Sequence, residues 1–211
     1  TDSLNDLASN ERIRKEIGNH IVGEIGAMES LFFQLAPVSG LYDLQISAEQ
    51  FRHHLRHVML DLDILEKGGV LEFRTLLNKP HAESLKRSLV YKPDPKERYI
   101  LASIELRPQL PELEKRLEVL LDLLEERTRL GKLDDADAYF KHIKVIQTNL
   151  RMAIPLFQRI EETANNLLYD SSEQLERLEL EINLKKGQYG LIETSTYVVF
   201  IITISGLGIF I

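Results

Sequence analysis

The chain has 211 residues, of which 44% are hydrophobic and 28% are charged. This composition excludes a disordered chain and a polytopic membrane protein, and the length predicts one or two domains with a hydrophobic core. The 26 basic and 33 acidic residues give a net charge of -7, which argues against a nucleic-acid-binding fold. Because the chain has no cysteine, disulfides, thiol nucleophiles and cysteine-built zinc sites are excluded.

Apolar residues at three- and four-residue steps predict helices over most of residues 1–196. The first helix is expected to end at Pro37, and the second to begin at Ser47, where Gln50 completes a capping box. Gly68 is expected to end the second helix. The stripes of these two helices are Ile13, Ile17, Ile21, Ile25, Met28, Phe32 and Leu35, then Phe51, Leu55, Val58, Leu62 and Leu65.

The second half of the helical region contains three further segments. Residues 70–90 are expected to form two short helices divided by Pro80. The next helix begins near Pro111, which suits a first turn, and ends at Gly131. Its apolar stripe is Leu113, Leu117, Leu120, Leu121 and Leu124. The last helical region begins near Asp134 and is the longest. Its stripe is Phe140, Ile143, Ile146, Leu150, Ile154, Phe157, Ile160, Ala164, Leu167, Ser171, Leu175, Leu178 and Ile182.

These segments together predict an all-α fold. An antiparallel arrangement is the usual way to bury such stripes, so we expect an elongated helical bundle, in one tier or in two stacked tiers. Its long first and last helices bracket the shorter ones. Pro155 lies inside the last helix and is expected to kink it without ending it, because the apolar periodicity continues on both sides.

The final 15 residues, YVVFIITISGLGIFI (197–211), carry no charge. A membrane-spanning helix needs about 20 apolar residues, so this stretch is expected to be the start of a transmembrane helix that the end of the sequence cuts short. A buried strand or a core helix is the alternative. The sequence therefore predicts an extracytoplasmic helical domain over residues 1–196 and a truncated span over residues 197–211.

Two segments carry a resemblance to a known class of proteins. ERIRKEIGNHIVGEIGAMESLFFQLA (11–36) resembles the helix that follows the first membrane span of bacterial transmembrane receptors, and QLERLELEINLKKGQYGLIETSTYVVFII (174–202) resembles the helix that enters the second. The whole chain resembles, in its architecture, the periplasmic helical sensor domain of sensor histidine kinases, chemoreceptors and membrane-bound diguanylate cyclases.

The resemblance implies a function in signal transduction. It implies a homodimeric periplasmic domain of a receptor in the bacterial inner membrane, which senses a small-molecule ligand or a periplasmic binding protein. A helix displacement then passes to a cytoplasmic output domain, with a histidine kinase favoured and a diguanylate cyclase or chemoreceptor as alternatives. The fragment itself is then not an enzyme and holds no cofactor.

Two other classes of protein remain as alternatives. One is a soluble or tail-anchored helical scaffold or adaptor, and the other is a metal-binding helical bundle. Enzymes with a GxSxG, P-loop, GxGxxG or HExxH signature are excluded, because none of these motifs is present. The basic runs are short and lack interleaved aromatic residues, so no nucleic-acid partner is expected.

The segment FRHHLRHVMLDLD (51–63) is the candidate metal site. His54, His57 and Asp61 are spaced i, i+3, i+7, so they are expected to lie on the same side of the second helix. Two imidazoles and a carboxylate on one side could bind a metal ion or titrate together in response to pH. The alternative is a row of solvated polar residues at the edge of the helix.

A second candidate site combines polar residues of the first and last helices. Gln147, Arg151 and Gln158 follow one line beside the last stripe, and Glu24 lies beside the first. They are expected to form a small-molecule pocket in which Arg151 binds a carboxylate. The alternatives are a buried Glu24–Arg151 pair that fixes the register of the helices, and solvated edge residues.

Overall fold

The structure, a computed structural model, describes residues 2–75, 85–93, 100–133 and 136–207. In this part of the chain the elements are α1 (Asp2–Gln34), α2 (Leu41–Lys67), β1 (Gly69–Thr75), β2 (Leu85–Tyr91), α3 (Ile100–Leu106), α4 (Leu110–Leu130) and α5 (Ala136–Leu207). A 3₁₀ turn joins α3 to α4. Helices dominate, so the predicted all-α class is confirmed, with one two-stranded sheet added.

The four longest helices, α1, α2, α4 and α5, form an up-down-up-down bundle. α1 and α5 run antiparallel along most of α1. Arg12 of α1 forms an ion pair with Glu179 of α5, at 2.8 Å. Towards the other end of the pair, the rings of Phe32 and Phe157 lie 5.4 Å apart. α2 packs against α1, α4 packs against α5, and α2 also contacts α4, so each helix is antiparallel to its neighbours.

The predicted stripes of the first three long helices form the core. Because residues three and four positions apart share a helix face, one face of each helix is buried and the other is solvated. The confirmed core residues of α1, α2 and α4 include Ile17, Ile21, Ile25, Met28, Phe32, Phe51, Leu55, Val58, Leu62, Leu65, Leu113, Leu117, Leu120 and Leu124.

The predicted stripe of α5 is wrong at two positions. Phe140 and Ile154 are 64% and 41% exposed. The buried face instead runs from Leu150 through Ala153 to Phe157, in steps of three and then four. Ile154 therefore points away from the centre of the bundle, because one residue corresponds to about 100° around a helix.

At residues 70–75 and 85–90, the described parts of this range, strands are present in place of the two short helices expected over residues 70–90, so the prediction is wrong there. β1 and β2 form an antiparallel hairpin instead, and its register pairs Gly69 with Tyr91, Val70 with Val90 and Leu71 with Leu89. Leu71 and Tyr91 are buried, whereas Val70 and Val90 are exposed. This alternation is typical of a half-buried strand, and in a short apolar run it outweighs the spacing of the leucines.

The start of α2 also differs from the prediction. The helix begins at Leu41, six residues before Ser47, with Gly40 as the N-cap residue. Ser47 and Gln50 therefore lie inside the helix and form no capping box. The extra turns bury Leu44, and this added apolar contact explains the earlier start.

The hairpin and α3 follow α2 in the chain. The hairpin contacts α1 and α2, and α3 contacts α2 and α5. The side chain of Asn10 in α1 donates to the carbonyl of Lys92 at 2.7 Å, and the Lys92 N–H donates back at 3.2 Å. The hydroxyl of Ser103 in α3 donates to Glu66 of α2 at 2.5 Å. The bundle is thus elongated, with four long helices at one end and the hairpin beside α1 at the other.

α5 is a single helix of 72 residues, a length of roughly 110 Å. Pro155 lies inside it and does not end it, as predicted. Among the described residues, no helix is long and apolar enough to cross a membrane. The side chains of the predicted span, residues 197–211, lie outside the described residues, and so does Pro80.

Candidate functional site

Five polar side chains meet between α1 and α2 and form the histidine–carboxylate cluster. His20 and Glu24 come from α1, and His54, His57 and Asp61 come from α2. Residues three, four or seven positions apart lie on one face of a helix, so each set points the same way. Because the helices are antiparallel, His20 meets Asp61, while Glu24 meets the other two histidines.

The Glu24 carboxylate is the centre of the cluster. Its Oε2 accepts a hydrogen bond from Nδ1 of His54 at 2.5 Å. Its Oε1 lies 3.2 Å from Nε2 of His20 and 3.4 Å from Nδ1 of His57. A carboxylate only accepts hydrogen bonds, so the imidazole nitrogens that face it carry the protons. One partly buried carboxylate thus holds three imidazoles from two helices.

Asp61 is the most buried member of the cluster, with 2% of the residue exposed. Its Oδ2 lies 2.6 Å from Nδ1 of His20. Since the other ring nitrogen of His20 faces Glu24, this imidazole bridges two carboxyl groups. A buried carboxylate without a partner costs several kcal/mol, so the position of Asp61 depends on His20.

Hydrogen bonds and burial shift the pKa values of the cluster in opposite directions. The hydrogen bonds of His20 to Asp61 and then to Glu24 raise the pKa of His20 to about 10. Burial opposes the ionisation of Glu24, but hydrogen bonds from His20 and His54 outweigh it and lower the pKa of Glu24 to about 2. Burial raises the pKa of Asp61, and the His20 hydrogen bond acts against this. At neutral pH, His20 is therefore protonated and bonded to both carboxyl groups.

The structure brings together all three residues predicted to bind metal, but not as one set of ligands. His54 and His57 both reach Glu24, whereas Asp61 is bonded to His20. The residues whose ligand atoms lie within 4.8 Å of one another are His20, Glu24 and His57. The three predicted residues therefore lie in one cluster, and His20 and Glu24 of α1 are the members that the metal-site prediction did not include.

The predicted pocket of Glu24, Gln147, Arg151 and Gln158 is not assembled. Gln147, Arg151 and Gln158 are exposed on α5, whereas Glu24 is bonded to histidines between α1 and α2. The alternative of a buried Glu24–Arg151 pair is excluded for the same reason. The buried face of α5 includes Phe157, and the three polar residues of this helix lie about 80–120° around it from Phe157, so they face solvent.

The sequence placed Glu24 beside a buried stripe, but it did not connect Glu24 or His20 with the histidines of α2. The local signal is a histidine and a glutamate four residues apart on an apolar face. Which helix they face depends on how α1 and α2 pair, and the spacing within each helix does not contain that information.

A second polar contact lies between α1 and α5. Arg14 is 2% exposed, and its Nη1 lies 3.4 Å from Glu11 and 3.2 Å from Gln174 of α5. Burial raises the pKa of Glu11, while the neighbouring Arg14 guanidinium lowers it. The two longest helices are therefore joined by a buried charged group as well as by apolar packing.

Comparison of the chain with protein-family models, with curated proteins and with solved structures gave no match. The function of the chain is therefore inferred from the arrangement of its helices and from the chemistry of the histidine–carboxylate cluster.

Proposed function

We propose that this chain is the periplasmic sensing domain of a signal-transduction receptor in the bacterial inner membrane. A small-molecule ligand or a binding protein acts on the bundle, and the resulting displacement of α5 reaches a cytoplasmic output domain. A histidine kinase is the favoured output, and a homodimer is the expected assembly.

The continuity of α5 is the observation that carries the proposal. This helix contacts α1 and α4 within the bundle and continues without interruption to Leu207, well into the apolar stretch at the end of the chain. A helix transmits an axial shift or a rotation along its length, because each backbone hydrogen bond couples successive turns. A displacement of α5 within the bundle would therefore also displace its apolar C-terminal end.

The interface between α1 and α5 supports the same proposal. Its contacts include the buried Arg14 with Glu11 and Gln174, and Ser171 is fully buried beside them. A buried polar group must be hydrogen-bonded in every stable packing, so it restricts the interface to a few discrete arrangements. A receptor needs two packings of similar energy, and such an interface is suited to providing them.

Chemical labelling of the full-length protein in bacterial cells tests the location of the domain. Because these 211 residues contain no cysteine, Tyr169→Cys introduces the only thiol of the domain, at a position that is 67% exposed. A membrane-impermeant maleimide should label this variant in cells whose outer membrane alone has been permeabilised. Labelling only after lysis would overturn the proposal and favour a cytoplasmic scaffold or adaptor.

Two controls make the result specific. The parent protein, which lacks the substitution, measures any labelling of cysteines outside these 211 residues. Ala164→Cys lies on the same helix but is fully buried, so it should react only after denaturation. Labelling of Ala164→Cys in the folded protein would show that the bundle is not formed in the cell.

A further inference from the structure

The ligand atoms of the histidine–carboxylate cluster are spaced like those around a metal ion. Glu24 Oε1 lies 3.2 Å from His20 Nε2 and 3.4 Å from His57 Nδ1. Bonds of about 2.0–2.1 Å to a tetrahedral zinc ion place neighbouring ligand atoms about 3.3 Å apart. All three residues offer ligand atoms within 4.8 Å of one another. A metal ion placed between these three atoms would replace the protons of the hydrogen bonds that join the two imidazoles to Glu24.

The other two members of the cluster orient these ligands. Asp61 is bonded to Nδ1 of His20, which directs Nε2 of the same ring towards Glu24. His54 is bonded to Oε2 of Glu24 and leaves Oε1 facing the two imidazoles. Carboxylates that hold the second nitrogen of a metal-binding histidine are typical of protein metal sites.

The cluster is also open enough to admit an ion. The side chains of His20, Glu24 and His57 are 30%, 12% and 37% exposed, respectively. Three protein ligands with access to solvent leave a fourth position for water or a small ligand, which is typical of metal sites that do more than maintain the fold.

We infer that His20, Glu24 and His57 bind one divalent transition-metal ion, such as zinc, between α1 and α2. Two imidazoles and one carboxylate are suited to zinc and to the neighbouring first-row ions rather than to calcium or magnesium. Since the ligands come from both helices, the ion would also hold α1 and α2 together. The inference is independent of the sensory role proposed above, because it concerns binding alone.

Calorimetric titration with zinc chloride tests the site. The full chain, freed of metal with a chelator, should bind one zinc ion, and His57→Gln or Glu24→Gln should weaken binding by more than about 100-fold. His57 is 37% exposed in its side chain, so its replacement should leave the fold intact, which circular dichroism verifies.

His53→Gln is the matched control. His53 is exposed and adjacent to the site, with its ring centroid 4.1 Å from that of His57, but it belongs to no ligand set here. This variant should bind zinc like the parent protein. Absence of zinc binding by the parent, or equal weakening in the His53 and His57 variants, would overturn the inference.

Thermal unfolding provides a second measurement. At a free zinc concentration about 100 times Kd, the Tm of the parent protein should rise by about 5–10 °C, because the ion binds the folded state alone. The Tm of His57→Gln should not rise at the same zinc concentration. An equal rise in both proteins would place zinc elsewhere on the chain and contradict the inference.

Discussion

At the scale of single residues, buried polar side chains determine how α1 and α2 pair. The Glu24 carboxylate of α1 accepts a hydrogen bond from His54 of α2. In the second contact the carboxylate comes from α2, because Asp61 is bonded to His20 of α1. A shift of α2 by one turn would remove these partners and leave Asp61 buried alone, at a cost of several kcal/mol. Apolar side chains tolerate such a shift more readily, so the cluster specifies the register.

Gly68 is the residue at which backbone conformation matters most. It ends α2 as predicted, with φ of +78°, and its N–H donates to the Ile64 carbonyl at 2.8 Å. A Cβ atom here would lie 2.8 Å from Cδ of Pro93 and 3.1 Å from the carbonyl oxygen of Tyr91. Gly68→Ala should therefore lower the free energy of unfolding by about 1–3 kcal/mol, measured by urea denaturation.

Gly23→Ala is the control for this substitution. Gly23 lies inside α1, and a Cβ atom added there meets no other group within 4 Å. Alanine favours the helix, so this variant should be more stable than the parent by about 0.5–1 kcal/mol. Similar losses of stability in both glycine variants would contradict the conformational explanation.

At the scale of elements, Arg127 of α4 holds the connection between α1 and α2. Its guanidinium donates to the backbone carbonyls of Ala36 and Val38. Both carbonyls lie in the connection after α1, where the regular hydrogen bonds of a helix do not continue. Arg127→Ala should lower the free energy of unfolding by about 1–3 kcal/mol, because two partly buried acceptors lose their donor. Chemical denaturation provides the measurement.

Arg129→Ala tests whether the effect depends on these contacts. Arg129 lies two residues along the same helix, is 65% exposed in its side chain and pairs with Glu126 at 2.6 Å. Surface pairs of this kind contribute little, so the free energy of unfolding should change by less than about 0.5 kcal/mol. An equal effect of the two substitutions would mean that loss of charge, rather than of the two hydrogen bonds, destabilises the protein.

At the scale of the whole molecule, the antiparallel pairing of α1 with α5 determines the shape of the domain. A Cβ atom built at Gly18 lies 3.4 Å from Cα and 3.6 Å from Cβ of Leu168, and the second distance is within the range of disulfides. In this cysteine-free chain, Gly18→Cys with Leu168→Cys should therefore form one disulfide on oxidation. Closing a loop of about 150 residues should stabilise the oxidised protein by about 4–5 kcal/mol relative to the reduced form.

Mass spectrometry and the difference in Tm between oxidised and reduced protein measure this outcome. Gly23→Cys with Leu168→Cys is the control, since no group lies within 4 Å of a Cβ atom at Gly23. The control should stay reduced under the same conditions. In a full-length receptor, the disulfide at Gly18 should also prevent signalling, because it stops α5 from moving past α1.

The sequence predicted the helices more completely than the site. The apolar stripes of α1, α2 and α4 were correct because burial of one helix face requires a local repeat of three and four residues. The hairpin at residues 70–90 was missed because a short apolar run suits a strand as well as a helix. On α5 the proposed ligand residues, such as Arg151, were placed too close to the buried face, because the predicted stripe included the exposed Ile154.

At the candidate site, the sequence likewise predicted what depends on spacing within one helix, but not what depends on the pairing of two helices. The spacing of His54, His57 and Asp61 was sufficient to place them on one side of a helix. Their partners, His20 and Glu24, lie 30 to 41 residues earlier, and only the packing of α1 against α2 brings them into contact. Local periodicity thus determined which residues face a neighbour, and the tertiary structure decided which neighbour they meet, since pairing between helices depends on contacts across the whole interface.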